Sequence, residues 1–399
     1  MNLPETKTPF VAIACGGTGG HLFPGIAVAG ELKKRGCGVA LLISPKEIDQ
    51  QAVKAARDVE IFTLPAVGLQ NRNYLSFGLS FWKSYRAAQT IFKKHPPQAV
   101  LAMGGFTSAP PILAAKKFGA KTFLHESNTI PGRANRFLAK FVDEAFVGFP
   151  ETASSLKTRQ TSVTGTPVRP QFTEQSQSQI AACRKTLGLD PNLPAILVVG
   201  GSQGASGLNE MILSALPLLA SKNWQWLHLT GANDFEKVQA VYAAKKLKAV
   251  VKPFLAEMNL ALGAATVSVS RAGASSLAEL AAVRLPSLLV PFPAAADNHQ
   301  YFNSLAFDKS GAARLLEQKN STPDKVAGIL GELVGSETVR SKMQTALVQW
   351  HAPHAAGQIA ENILRVSWSS SFSAPADNPK VNVGQSRPGA QAQQHFSAA

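Results

Sequence analysis

Acidic side chains are scarce in this chain. Its 399 residues hold 25 Asp and Glu against 40 Lys and Arg, and charged residues of both signs reach only 16%. No Asp-x-Asp occurs anywhere. Its absence removes the acidic pair that would clamp a divalent cation on a diphosphate, and predicts chemistry without a metal or other cofactor. Cysteine is scarcer still. Cys15, Cys37 and Cys183 are odd in number and far apart, which excludes a disulfide framework and zinc-ligand spacing; they read as thiols in a reducing compartment. No uncharged apolar run reaches the roughly 18–20 residues of a spanning helix. The apolar stretch Phe10–Cys15 is a strand in length, too short for a signal-peptide core. Work at a membrane would therefore be done from its surface.

Length and apolar content predict two domains, since 399 residues exceed one ordinary core and 45% of them are apolar. The basic excess is uneven. Residues 1–166 carry 20 basic and 10 acidic side chains, residues 167–366 carry 18 and 14. The first half would attract phosphates, nucleic acid or anionic lipid, or the charge could serve solubility alone.

One pattern is written twice. Phe10–Cys15 is followed by Gly16-Gly-Thr-Gly-Gly20 and a helix-like stretch through Leu32; Ala195–Val199 is followed by Gly200-Gly-Ser-Gln-Gly204 and a helix-like stretch through Leu219. Around them, short apolar runs alternate with helical patterns. Candidate strands are Val39–Ile43, Ala99–Met103, Thr122–His125 and Ala145–Val147, then Trp226–Thr230, Ala249–Val251, Val267–Ser270 and Ser287–Val290. The alternation predicts an α/β chain of two Rossmann-like domains with parallel sheets. Thr164-Gly-Thr-Pro-Val-Arg-Pro170 makes a linker, Trp350–Val366 a terminal helix, and the Ser/Ala/Gln/Gly/Pro-rich segment from about 367 to 399 a disordered tail.

A strand ending in a glycine turn points a helix N-terminus, with its free N–H groups, at an open pocket suited to an anion. The first loop is not a dinucleotide fingerprint, because a start at Gly17 would require glycine where Leu22 stands; nor is there the Gly-Lys-Ser/Thr of a Walker A loop. Each loop alone also fits a tight turn with close helix packing.

Further motifs follow in order: Gly16-Gly-Thr-Gly-Gly-His-Leu-Phe-Pro-Gly25, Gly104-Gly-Phe-Thr-Ser108, His125-Glu-Ser-Asn128 with Pro131-Gly132, Thr164–Arg169, Gly200–Gly204, Arg271-Ala-Gly-Ala274 with Glu279, and Asp297-Asn-His-Gln300. This set, over roughly residues 8–366, resembles the MurG-type N-acetylglucosaminyltransferases. The resemblance implies a GT-B fold, with residues 1–166 plus a helix at about 350–366 facing acceptor and membrane, and 167–349 binding the UDP-sugar. It implies an inverting transfer of N-acetylglucosamine from UDP-N-acetylglucosamine to the 4-hydroxyl of undecaprenyl-diphosphate-linked N-acetylmuramoyl pentapeptide, at the cytoplasmic face of a bacterial inner membrane. Two residues depart from the family: Ser127 stands where Gln is usual, Arg284 where glycine is common.

By the same resemblance Glu279 holds the uridine ribose, since a carboxylate accepts from two vicinal hydroxyls. Ala274, Ser275, Ser276, Leu277 and Ala278 lie along the diphosphate, Ser202 donates to a phosphate, and the Leu255 backbone meets uracil. Gln300 and His299 reach donor-sugar hydroxyls, with Asn128 nearby; Arg169 serves the nucleotide phosphates; Thr18, Gly19 and Gly20 contact donor or acceptor diphosphate. His21 is the candidate base for the acceptor hydroxyl, because histidine can take a proton near neutral pH. It could equally be structural in its loop, and Glu126 and His125 are rivals.

Residues 69–94 mix Tyr74, Leu75, Phe77, Leu79, Phe81, Trp82, Tyr85, Ile91 and Phe92 with Arg72, Lys83, Arg86, Lys93 and Lys94. The mixture suits the headgroup boundary of an anionic membrane, with Phe81 and Trp82 docking, or equally a core helix with a basic rim. Three other readings compete: a related GT-B enzyme with a different nucleotide sugar or lipid acceptor, a dinucleotide-dependent oxidoreductase, and a nucleic-acid binder. The second lacks an acidic residue at the end of its second strand, Ile43-Ser44-Pro45, and the third lacks a recognisable module, so no nucleic-acid partner is expected.

Overall fold

The computed structural model describes residues 8–53, 59–66, 74–201 and 204–368. Ser202, Arg72 and the tail beyond Trp368 lie outside the described residues. Two all-parallel sheets are present. The first contains β1 (Phe10–Ala14), β2 (Gly38–Ile43), β3 (Glu60–Thr63), β4 (Ala99–Ala102), β5 (Lys121–Glu126), β6 (Glu144–Val147) and β7 (Thr161–Val163), in the order β3-β2-β1-β4-β5-β6-β7. The second contains β8 (Ala195–Val199), β9 (Gln225–Leu229), β10 (Ala249–Lys252), β11 (Val267–Ser270), β12 (Ser287–Leu289) and β13 (Arg314–Leu315), in the order β10-β9-β8-β11-β12-β13. All eight strands expected after the two glycine-loop strands are there. The sequence missed β3, β7 and β13. These are short and lie at or toward the sheet edges, and β3 is largely solvent-facing, so none has an apolar run to announce it.

The helices of the first half are α1 (Gly19–Lys34), α2 (Glu47–Ala52), α3 (Tyr74–Lys94), α4 (Ala109–Lys117) and α5 (Arg133–Leu138). Those of the second are α6 (Gln177–Thr186), α7 (Ser206–Leu219), α8 (Phe235–Ala244), α9 (Met258–Ala264), α10 (Ala274–Ala282), α11 (His299–Lys309), α12 (Pro323–Gly335), α13 (Glu337–Leu347) and α14 (Ala355–Ser367). Strand residues alternate between the two faces of each sheet. Val11, Ile13 and Leu41 join Leu22, Val28 and Leu32 of α1; Ala12, Ala14 and Leu42 join Phe92 of α3 and Ile112 of α4. In the second sheet Leu197 and Leu229 face α9 and α10, while Ile196 and Val198 face α7 and α12.

In both sheets the order reverses beside the first strand. The loop after β1 leads to a helix on one face and the loop after β4 to a helix on the other; β8 and β11 repeat this. A crevice opens at each reversal, outside the C-terminal strand ends. All four loops there carry motif glycines.

α14 returns to the first sheet. Ile359, Ala360, Ile363 and Leu364 are buried there with Leu22 and Leu32, each large side chain contributing about 1.5–3 kcal/mol before entropy is counted. Below the cleft Trp350 stacks on Phe307 at 4.6 Å and leans on Phe149 at 5.4 Å, which joins β6 to the second core. Cys15 and Cys37 are buried and Cys183 half-buried, all free. No helix among the described residues is long and apolar enough to cross a membrane.

Arg284 follows α10 at φ 51°. A left-handed residue is what a helix C-terminus commonly takes, and glycine takes it without a Cβ penalty. The side chain pairs with Glu174 at 2.8 Å, the two side chains 38% and 58% exposed. Relief of about 1 kcal/mol of backbone strain should outweigh that ion pair. Arg284→Gly is therefore expected to raise the melting temperature by about 1–2 °C; a lower value in calorimetry would mean that the ion pair dominates.

Candidate active site

The first glycine loop is wedged in place. A Cβ on Gly16 would lie 2.3 Å from the Ser44 nitrogen, so only glycine fits. Gly17 has φ 108° and its N–H turns inward to the buried Asp49 Oδ2 at 2.6 Å. α1 then starts after Thr18, with no side-chain cap and no acidic residue in its first turn. Thr18 Oγ1 lies 3.1 Å from His21 Nδ1 instead.

The His21 ring rests on the loop after β4. A Cβ on Gly104 would come within 2.9 Å of its Cδ2 and Nε2, and one on Gly105 within 3.0 Å of Nδ1. Gly104 and Gly105 both have positive φ. The Gly104-Gly105 pair is thus a floor shaped for an imidazole. Burial lowers the His21 pKa below its ordinary value, against the opposing charges of Glu126 and Asp49. The ring is neutral at pH 7 and able to accept a proton.

The rival bases are placed otherwise. Glu126 Oε1 accepts from the backbone and side-chain amides of Asn128, at 2.9 and 3.0 Å; Oε2 accepts from Gly132 N at 2.8 Å and Asn135 Nδ2 at 2.9 Å. Four donors on a 3% exposed carboxylate make it the organiser of its loop rather than a group free to take a proton. His125 is fully buried, Nε2 against Gly165 O and Nδ1 against Ser127 Oγ. Ser127 therefore turns inward to His125, not to the cleft.

Across the cleft α10 begins after Gly273, also without a side-chain cap or an acidic first turn. Its N-terminus meets that of α1, where Ser275 Oγ donates to Gly20 O at 2.7 Å. Two uncapped helix N-termini nose to nose concentrate positive potential on one point, an environment for a diphosphate. Leu277 is set apart from its neighbours: its side chain is buried in the core and its N–H bonds Gly273 O, so Ala274, Ser275 and Ser276 supply the free donors. Ala278 is half-buried behind them. Leu255 has its side chain in the core and only its backbone available beside exposed Phe254.

Glu279 faces Arg169 at 3.4 Å. Burial raises its carboxyl to about 7, with Arg169 opposing in part. The Arg169 guanidinium lies between two rings, 4.0 Å from the centroid of Phe23 on α1 and 4.8 Å from that of Phe172. It thus ties the first domain to Glu279, a role that the sequence did not suggest.

Gln300 is anchored by Oε1, which accepts from Ala272 N and Phe292 N. Its Nε2 has no protein partner among the described residues and stays a donor. His299 donates Nδ1–H to Ala296 O, leaving Nε2 to accept. Asp297 and Asn298 before it both have positive φ, and Asp297 is held by Arg136, with Arg133 at 3.7 Å, from the first domain. Asn303, fully buried, accepts from Thr129 N and Oγ1 and donates to Asn128 Oδ1. The Asn128 amide is thereby largely committed. Sequence reasoning missed the role of Phe23, although it stands in the first glycine motif, and missed Asn303 and Arg136, which have no local signature.

Residues 11–147 match the glycosyltransferase family 28 N-terminal domain, and residues 195–359 match the glycosyltransferase family 28 C-terminal domain. The chain belongs to this family. It is 36% identical to the UDP-N-acetylglucosamine--N-acetylmuramyl-(pentapeptide) pyrophosphoryl-undecaprenol N-acetylglucosamine transferase of Anaeromyxobacter sp. (strain Fw109-5), covering 94% of this chain and 98% of the relative. The protein of the same name from Solibacter usitatus is 35% identical, covering 92% and 98%. The crystal structure of Acinetobacter baumannii MurG superposes with a TM-score of 0.70 at 26% identity, over 90% of this chain and 99% of that one. A UDP-N-acetylglucosamine 2-epimerase, 14% identical with a TM-score of 0.64, shares the fold. The glycosyltransferase is thus of the GT-B architecture, and the oxidoreductase reading falls away.

On the first domain of the transferase, α3 carries Leu75, Leu79 and Trp82 on one helical face, 84%, 63% and 58% exposed. Arg86 continues that row, its guanidinium 5.5 Å from the Trp82 ring centroid. Phe81 does not belong to it. Phe81, with Tyr85 and Ile91, packs against the core under the helix, because positions 81 and 82 point about 100° apart on a helix.

Proposed function

We propose that the transferase moves N-acetylglucosamine from UDP-N-acetylglucosamine to the 4-hydroxyl of undecaprenyl-diphosphate-linked N-acetylmuramoyl pentapeptide, with inversion. The observation that carries this is the pairing of His21, neutral on its two-glycine floor, with two opposed helix N-termini in a chain whose full-length relatives bear that name. With Thr18 Oγ1 accepting from Nδ1–H, Nε2 of His21 keeps its lone pair and takes the hydroxyl proton. The acceptor oxygen bonds to the anomeric carbon while the bond from that carbon to the diphosphate oxygen breaks. The electron pair leaves with UDP, whose growing charge meets the free N–H groups of Ala274, Ser275 and Ser276. Glu279 accepts from the ribose hydroxyls, Gln300 Nε2 and His299 reach the sugar, and Ser202 the phosphate. Arg169 acts by holding Glu279 and closing the cleft.

In this reading residues 1–166 and the helix near 350–366 serve the acceptor, and 167–349 the donor. The exposed row of α3 docks on an anionic leaflet, which keeps the lipid-linked acceptor within reach of the cleft from the cytoplasmic side. A double variant Leu79→Ala, Trp82→Ala is expected to weaken binding to phosphatidylglycerol vesicles by about tenfold or more. Phe81→Ala is expected to lower the melting temperature and leave vesicle binding intact. The opposite pattern would reverse the assignment.

UDP release with a short-chain lipid-linked muramyl pentapeptide, in the presence of EDTA, tests the reaction. Release that depends on this acceptor and survives EDTA supports transfer without a metal. Turnover only with another nucleotide sugar or a diacylglycerol would keep the family and replace the substrate.

A further inference from the structure

We propose that Asp49 is a positioning residue for the transfer step: buried beneath the first glycine loop, it works with Lys46 to clamp Gly17 and so fixes the Thr18–His21 turn against the acceptor. This rests on the reading of His21 as the base.

Both backbone groups of Gly17 are taken from behind by side chains of opposite charge. Its N–H donates to Asp49 Oδ2 at 2.6 Å, and its C=O accepts from Lys46 Nζ at 3.0 Å. The same Asp49 oxygen accepts from the Ser44 backbone N–H at 3.2 Å and the Ser44 hydroxyl at 2.5 Å. One carboxylate therefore joins the turn after β1 to the turn after β2. With Gly17 held this way, the loop continues into Thr18, Gly19 and Gly20 on the cleft side, where α1 begins uncapped.

Asp49 is wholly buried, and no ion pair with it occurs among the described residues. Lys46 is committed to Gly17 O and lies over the Phe106 ring. A buried carboxylate without a cation partner is costly, and here three donors converge on one of its oxygens while Oδ1 has no partner among the described residues. The charge also acts on His21. Asp49 and Glu126 favour the imidazolium that His21 becomes in the transfer, while Lys46, His299 and burial oppose it. The clamp thus sets both the place of the base and its readiness to hold a proton.

The two clamp residues carry opposite charges, so their removal has opposite electrostatic signatures. Asp49→Asn and Lys46→Met in the full chain should each lower kcat, by about tenfold or more through misplacement of the turn. The KM for UDP-N-acetylglucosamine should stay within about twofold, because the donor is held by the other domain. The acid limb of the kcat–pH profile should move to lower pH in Asp49→Asn and to higher pH in Lys46→Met. Calorimetric UDP binding establishes that each variant is folded; if Asp49→Asn does not fold, Lys46→Met and its limb carry the test. Limbs that move in the same direction, or parental kcat and limb in Asp49→Asn, overturn the clamp. His21→Ala is measured alongside. Retention of most of kcat there overturns the base reading and this inference with it, whereas an inactive His21→Ala beside a parental Asp49→Asn refutes the clamp alone.

Discussion

His21→Ala is expected to lower kcat by about 10²–10⁴-fold, the usual worth of a positioned general base, while calorimetric binding of UDP-N-acetylglucosamine changes little. The ring stands on the first domain, and the donor-binding groups stand on the second. Burial holds the His21 pKa below the ordinary histidine value, so kcat should rise with pH through a limb below 6.5 and level off by neutrality. The sign also holds for stability. A histidine kept neutral in the fold binds fewer protons than in the unfolded chain, so its contribution is lost as pH falls below the unfolded value. Gly105→Ala offers an independent check, because its Cβ would come within 3.0 Å of His21 Nδ1 at a positive φ. It should reproduce much of the kcat loss without touching a ligand. A His21→Ala enzyme with near-parental kcat would remove the residue from the chemistry.

The second large effect is expected at Glu279. Its carboxyl sits at about 7 because burial outweighs Arg169. A ribose diol donates two hydrogen bonds and requires the ionised form, so donor binding below pH 7 must expel a proton. The dissociation constant should therefore fall about tenfold per unit as pH rises toward 7 and flatten above it. Titrations in buffers of different ionisation enthalpy would count the proton released. Glu279→Gln should raise the donor KM by about 10–100-fold, the worth of charge-assisted hydrogen bonds, and erase the pH dependence. In the free enzyme the fold holds a proton on Glu279 that the unfolded chain lacks between about 4.5 and 7, so this group's contribution to stability declines as pH rises through that window. A flat dissociation constant between pH 6 and 8 would rule the assignment out.

The two glycine loops, the alternation of apolar runs with helical stretches and the repeat near residue 195 were legible in the sequence because each is local. A parallel strand buried on both faces needs consecutive apolar residues, as in Ala195–Val199, and a close strand-to-helix turn needs glycine, as at Gly16. Where these signals are weak, reading failed: Glu60–Thr63 is exposed, and Arg314–Leu315 is two residues long. Phe81 and Trp82 are neighbours in sequence and equally aromatic, and only the helix packing separated the one turned to the core from the one turned to solvent.

Composition and motif order by themselves determined the α/β class, the doubled architecture, the family resemblance and the residue types at the cleft. Tertiary structure decided which of those residues remain free to act. His125 ends the strand Thr122–His125 read from sequence and Glu126 follows it directly, yet Glu126 is consumed by four hydrogen bonds and His125 is buried. His21 and Gly104 are 83 positions apart, and Asn128 and Asn303 are 175 apart. Their meeting depends on where the strand order reverses and how the two sheets close on each other. A side chain's freedom is set by its partners in space, and no local pattern encodes partners that the chain reaches only after it has folded.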